Sequence, residues 1–511
     1  MAAGDRLSAL DVSFLNIEDH AAHMHVASVM IFDGDPPGHE EFVESVSRRL
    51  HLVPRYRQKV AFMPLNAGRP RWVDDPHFNI GYHVSRSALP PPGSEQQLRD
   101  LAGRLFSQQL DRYRPLWELW IVEGLEGGRF AAVSKTHHAL IDGIAGVDLM
   151  SVLFDTKPNP TVPADRGRPW HPRPTPSTAE LVAEALIDRA TVPGEAVGAV
   201  TDALRRPRAL AGGAWETLVG VGAMAWAGLR PAPASPYNRR IGPHRRFTWI
   251  RTSLADMKAI KEELGGTVND VVLATVAGGL GRHMRRRGDD TTGVTLRAFV
   301  PVSVRAADHG GGGGNQVSGM IAPLPVGEED PRRRLATVST AMARLKSSGQ
   351  AVGAKALTDL SGFAPPNILS QASRLSSRQR FVNLVVTNVP GPQDALYLGG
   401  REMRDVFPMV PLASNTALGV AIMSYHGRMN FGLHADWDLL PDLEDLAEDF
   451  ERSLAELARA AGQRLHPPRA MPSTAASNGK KRSATGRRAS SSSRRRRTAA
   501  AGSPGNGGKG S

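Results

Sequence analysis

Two adjacent histidines followed by an aspartate and a glycine, His137-His138-x3-Asp142-Gly143, are the residues of this chain whose types and spacing could do chemistry. An imidazole exchanges a proton near neutral pH, and a nearby carboxylate can hold the loop around it. Three readings fit. The first is a capped helix start that happens to carry histidines. The second is a metal centre. Zinc sites take three or four ligands at usable spacing, nothing else in the stretch completes such a set, and the chain contains no cysteine. The third is a general base with an aspartate buttressing its loop.

The flanking residues say which elements must position the pair. Phe130 to Val133 is short and apolar, as a strand requires, while Ile144, Val147, Met150 and Phe154 recur at the spacing of one helix face. The histidines are therefore expected in the turn between strand and helix, with Asp142 and Gly143 at the helix entrance, where a carboxylate takes up free N–H groups and meets the positive end of the dipole. Neighbouring side chains at a strand end point to opposite sides, so one imidazole of the two is expected to face a given cavity.

Four further stretches narrow the choice. Pro115-Leu116-Trp117 precedes the histidines. Asn269-Asp270-Val271-Val272-Leu273-Ala274 lies in the second half, followed by Gly314-Asn315-Gln316-Val317-Ser318 and then Asn388-Val389-Pro390-Gly391-Pro392. In this order the five stretches resemble the bacterial wax ester synthase/diacylglycerol acyltransferase family, within the coenzyme A-dependent acyltransferase superfamily with its HHxxxDG signature. The resemblance runs from Leu7 to about Leu465. Thr387 stands where the family usually has serine before the asparagine, and the hydroxyl is kept.

At 511 residues the chain is too long for one ordinary core. The absence of cysteine excludes disulfides and an acyl-cysteine intermediate. The start lacks the basic and apolar regions of a signal peptide, and no run reaches the length of a membrane span, so a cytoplasmic protein is expected. The net charge is +13, but 11 of these charges stand between Arg469 and Lys509 with no acidic residue among them, leaving +2 for the rest. The basicity belongs to an appendage. That tail is Ser/Ala/Gly/Arg-rich without hydrophobic periodicity and is expected to be disordered. A solvated extension or an anionic membrane surface suits it, whereas nucleic acid is disfavoured because aromatic residues for stacking are missing.

Composition and periodicity divide the chain into four parts: residues 1–156 carrying the histidine motif, a proline-rich and helical connector at 157–245, a second unit at 246–466, and the basic tail at 467–511. Arg55 and Arg57 are expected on a strand. His20, His23 and His25 read as incidental to a strand start, with nothing nearby to complete a site. Trp117 and Trp120 are three apart and should face opposite ways. Trp215 to Leu229 is apolar, fit for a buried helix or for a surface helix that touches lipid. Gly310 to Gly314 is followed by no Gly-Lys-Ser/Thr, so it is a flexible loop and not a nucleotide-binding one. Thr267 to Asp270 caps a long helix reaching about Arg286, and Asn388 to Pro392 is expected to be a rigid turn.

The resemblance implies an α/β fold of two chloramphenicol acetyltransferase-like domains with a tunnel between them. It implies transfer of a long-chain acyl group from acyl-CoA, a co-substrate and not a bound cofactor, to diacylglycerol or to a fatty alcohol. His138 would be the general base, His137 its supporting neighbour, and Asp142 would hold the loop through Arg57 or, failing that, Arg55. Gly143 and Asp270 complete the motifs. A hydrogen-bond donor must meet the oxyanion of the tetrahedral intermediate; Asn269 is the candidate, though a helix start explains it equally well, and Asn388 is the other. Peripheral association with the inner membrane or with lipid droplets would follow from the acceptors. A non-catalytic acyl-lipid-binding protein on the same scaffold is the alternative.

Overall fold

A computed structural model describes residues 6–63, 68–141, 153–159, 170–177, 179–180, 231–303, 317–347 and 381–466. They form two six-stranded sheets flanked by helices, plus a ribbon of Gln58–Ala61 and Arg71–Asp74. The first sheet is ordered Tyr397–Leu398, Arg401–Met409, His25–Asp33, Arg129–His137, Trp117–Leu125, Val84–Ala88. The second is ordered Arg245–Ser253, Arg428–Asp436, Leu418–Tyr425, Leu384–Pro390, Leu296–Ser303, Val317–Leu324.

The first sheet is covered on both faces, which is why its central strands are apolar almost throughout. In His25–Asp33, Ala27, Val29 and Ile31 face the helix Glu95–Phe106, while Met30 and Phe32 face the core that holds Phe42 and Val46 of the helix His39–Arg49. Trp117 is buried, its indole N–H donating to the Tyr56 carbonyl at 2.8 Å, and Trp120 packs on the opposite core. In the second half Thr267 caps Val268–Arg286 through a reciprocal bond with Asp270. The hairpin joining Leu418–Tyr425 to Arg428–Asp436 turns at His426 (φ 45°) and Gly427 (φ 78°), the paired left-handed residues that match strand twist.

Two strands, Tyr397–Leu398 and Arg401–Met409, cross the boundary expected from composition. Arg401–Met409 belongs to the second half of the chain but pairs antiparallel with His25–Asp33, Ala27 opposite Met409 and Met30 opposite Val406. Alternating apolar residues marked neither this strand's sheet nor its partner, because pairing across the chain is non-local. Two glycines let the halves close up. A Cβ on Gly432 would lie 1.9 Å from the Pro408 carbonyl oxygen, and one on Gly103 would lie 2.8 Å from that of Arg245. Across the seam Trp249 stacks on Phe407 at 4.6 Å. Arg251 joins Glu95 at 2.8 Å to Asp405 at 3.0 Å, and Arg428 meets Asp405 from the other side.

Other expectations are revised. Arg55 and Arg57 lie on the 3-10 turn Pro54–Arg57, because Pro54 starts a turn; the strand begins at Gln58. Leu384–Pro390 continues through Asn388 as a strand, and the turn is confined to the residues after it. Pro331–Ser347 is a helix that the sequence did not mark; its basic first turn hides the spacing of Leu335, Val338 and Met342. Within the connector, residues 170–177 dock on the first half, with Arg173 bonded to Asp74 at 3.0 Å. Trp215 to Leu229, the glycine run Gly310 to Gly314 and the basic tail lie outside the described residues.

Candidate active site

His137 ends the strand Arg129–His137, and His138 opens the helical turn His138–Ile141. A helical turn thus begins at His138 itself; the helix entrance expected at Asp142 and Gly143 lies outside the described residues. The two rings part company at the strand end. His137 is 1% exposed between the sheets, whereas solvent reaches part of His138. The His138 N–H donates to the Met24 carbonyl at 2.8 Å, and its ring lies on that of Phe14 at 4.1 Å. Phe14 and Met24 also pack against the core of the second half, so His138 stands where the halves meet. Burial lowers its pKa to about 4, the neighbouring His137 adding to the effect. At neutral pH it is an uncharged imidazole, the form that accepts a proton.

His137 is hydrogen-bonded at Nδ1 and faces a carboxylate at Nε2. Its Nδ1 accepts from the Ala139 N–H at 3.1 Å. The neutral ring therefore carries its proton on Nε2, which lies 3.7 Å from Oε2 of Glu18, an electrostatic rather than a hydrogen-bonding distance. The Glu18 side chain is 2% exposed. Its Oε2 accepts from Arg112 Nη2 at 2.6 Å and Nε at 3.0 Å, and its Oε1 from the Met24 N–H at 3.2 Å. Burial alone would raise this carboxyl's pKa; His137 and Arg112 overcome that and hold it at about 2. One signal in the sequence points to Glu18: it is an acid two residues before the histidine cluster that starts at His20.

Two histidines of that cluster, His23 and His25, are buried beside the motif. His25 sits directly across from His137 on the next strand, and the rings of His23 and His25 are 5.8 Å apart. Burial pushes His25 well below its ordinary pKa, with Lys135, His23, His434 and His137 contributing. His434 is lowered to about 3 by burial and by Arg245. Lys135 donates to the carbonyls of Leu105 and Gln108 at the end of the helix Glu95–Phe106 and pairs with Glu118 at 3.0 Å. Strand alternation puts residues 25, 135 and 137 on one face, and pairing brings them together; neither is visible in a local stretch.

The two oxyanion candidates meet. Asn388 Nδ2 donates to Asn269 Oδ1 at 3.5 Å across 119 residues of sequence, a long bond that orients the second amide. Asp270 is a capping residue: its carboxylate accepts from the Thr267 N–H at 2.8 Å. Gly391, whose N–H donates to the Ser424 carbonyl at 3.0 Å, has no room for a Cβ, which would stand 2.4 Å from that oxygen. Arg57 lies over Trp170 at 5.2 Å and Arg55 over Trp72 at 5.2 Å, with Arg55 also bonded to Gln58. Their expected partner, Asp142, is among the residues not described.

Among the described residues no group of three or more His, Asp or Glu side chains is placed to hold a metal ion, and no helix is long and apolar enough to cross a membrane. A groove of about 530 Å³ runs between Leu101, Arg104 and Trp437, away from the motif histidines.

Known proteins resemble this chain over most of its length. The profile of the wax ester synthase/diacylglycerol acyltransferase catalytic domain matches residues 7–272, and that of the family's C-terminal domain matches residues 313–458. A probable diacylglycerol O-acyltransferase of Mycobacterium tuberculosis, tgs1, is 34% identical over 467 residues, covering 90% of this chain and 97% of its own. A second from that organism, tgs2, is 34% identical over 90% of this chain and 100% of its own. Among solved structures, the wax ester synthase/diacylglycerol acyltransferase of Marinobacter aquaeolei VT8 superposes with a TM-score of 0.61 at 26% identity, over 89% of this chain and 100% of that one. The starter condensation domain of rhizomide synthetase, solved with C8-CoA and Leu-SNAC, shares the fold with a TM-score of 0.51 at 12% identity, over 91% and 95%.

Proposed function

This chain belongs to the wax ester synthase/diacylglycerol acyltransferase family, and from that premise we propose that it moves a long-chain acyl group from acyl-CoA to the free hydroxyl of diacylglycerol, yielding triacylglycerol and coenzyme A. The observation that carries this reading is His138: a neutral, partly accessible imidazole at the junction of the halves, opening the helical turn after the strand. An alcohol is a poor nucleophile until its proton is taken. His138 takes that proton as the oxygen attacks the thioester carbon. The resulting oxyanion is met by an amide N–H, for which Asn269 is the candidate, its carbonyl oxygen occupied by Asn388. The carbon–sulfur bond then breaks and the thiolate leaves with the proton returned from His138. No covalent enzyme intermediate is needed. Asp142 would hold the loop through Arg57 or Arg55.

A fatty alcohol as acceptor, giving a wax ester, is the second reading; the family's name covers both products. Either acceptor is a lipid, so the site must meet a membrane or lipid-droplet surface peripherally. The basic tail and the apolar stretch Trp215 to Leu229 are the segments whose composition suits such a surface. Purified protein given acyl-CoA with diacylglycerol or with a long-chain alcohol, side by side, decides between them. Triacylglycerol formation at the higher kcat/KM supports the first reading. No release of free coenzyme A with either acceptor would leave only an acyl-lipid-binding protein.

A further inference from the structure

The mechanism above uses His138 and gives Glu18 no task, although Glu18 touches the surroundings of both histidines. We propose that Glu18, anchored by Arg112, is a positioning residue for His138. The inference rests on the acyl-transfer reading.

A buried carboxylate is costly unless it is paired, and an apolar residue of similar size is often as stable in its place. Here the carboxylate is kept and aimed. Arg112 takes Oε2 with two nitrogens, at 2.6 and 3.0 Å, and uses Nη2 to donate to the Leu15 carbonyl at 2.9 Å as well. That leaves the carboxylate facing Nε2 of His137 at 3.7 Å. With the Ala139 N–H on Nδ1, the His137 ring has one neutral tautomer that suits both neighbours, and its plane is set.

The same carboxylate also reaches the backbone that holds His138. Its Oε1 accepts the Met24 N–H, and the Met24 carbonyl accepts the His138 N–H at 2.8 Å. Arg112 in turn lies three residues before Pro115, and the Leu116 carbonyl accepts the His137 N–H at 2.9 Å. Glu18 and Arg112 thus join three segments around the dipeptide: the end of the helix Ala9–Ile17, the start of the strand His25–Asp33, and the stretch leading into the strand Trp117–Leu125. A base displaced by a fraction of an ångström loses rate without losing substrate.

The alternative is that the pair is a staple with no bearing on the histidines. A charge swap separates the two. In the full-length protein, Glu18→Gln is expected to lower kcat at least about tenfold while KM for acyl-CoA stays within about threefold. The double variant Glu18→Arg with Arg112→Glu restores the ion pair but turns a cation toward Nε2 of His137. It should recover melting temperature relative to Glu18→Arg alone and leave kcat low. A Glu18→Gln protein with kcat within about twofold of wild type, or a swap that recovers kcat together with stability, would overturn the proposal. Should either variant fail to fold, ¹⁵N-histidine spectra of the wild-type protein still decide: His137 must show protonated Nε2 and an accepting Nδ1, and the opposite tautomer refutes the proposal. A wild-type protein inactive with both acceptors would sink the acyl-transfer reading instead.

Discussion

The ring of Phe14 lies 4.1 Å from the ring of His138, tilted by 33°. Phe14 belongs to the helix Ala9–Ile17 yet packs against the core of the second half, so one side chain both joins the halves and walls the proposed base. Phe14→Ala should let more water reach the imidazole and raise its pKa from about 4 toward its ordinary 6.5. The base works only when neutral. The acid limb of kcat/KM against pH should therefore move upward, with relative activity lost between pH 4 and 6.5 and kept above. An unmoved limb would show that Phe14 does not govern the base.

Acid stability should follow from the same groups. His138, His434 and His25 all have folded pKa values below the ordinary 6.5, so each favours the folded state fully above 6.5 and costs stability as pH falls below it. Glu18, lowered from 4.5 to about 2, adds stability that is lost as pH falls through that window. Both act in one direction. Urea melts should show a plateau above pH 6.5 and a decline below it, on the order of a few kcal/mol by pH 4.5, since a pKa displaced by one pH unit on folding is worth about 1.4 kcal/mol. A midpoint constant from about pH 7 to 4.5 would contradict the buried neutral histidines.

Much of the fold was legible locally. The cap at Thr267, the hairpin at His426-Gly427 and the strand before His137 announce themselves by turn residues and period. What was hidden is non-local. The placement of Arg401–Met409 beside His25–Asp33, the pairing of His25 with His137, and the approach of Glu18 and Arg112 depend on which strand lies beside which. Of the site, the motif marked His137 and His138 but not the buried carboxylate beside them, since no spacing links residues 18, 112 and 137.

Gly432 tests that crossing strand. With its Cβ position 1.9 Å from the Pro408 carbonyl oxygen, Gly432→Ala must push Arg401–Met409 away from the second sheet. A loss of about 1–3 kcal/mol is expected by chemical denaturation. A variant as stable as wild type would mean that the two sheets do not meet there.

The amides of Asn269 and Asn388 should act as a unit. Asn269→Ala is expected to lower kcat by about 10²-fold or more if it supplies the oxyanion donor. Asn388→Ala should fall short of that, and the double variant should be close to Asn269→Ala alone, if Asn388 acts through its bond to Asn269. Multiplicative losses would show two independent contributions.

Under the proposed mechanism, acyl transfer depends above all on His138 as the base. Purified wild-type and His138→Ala proteins should be compared for coenzyme A release from long-chain acyl-CoA in the presence of diacylglycerol, with a thermal melt of each. The variant should stay folded, since solvent reaches part of residue 138, and lose at least about 10²-fold in kcat. A folded His138→Ala protein that transfers acyl groups within about tenfold of wild type would contradict it.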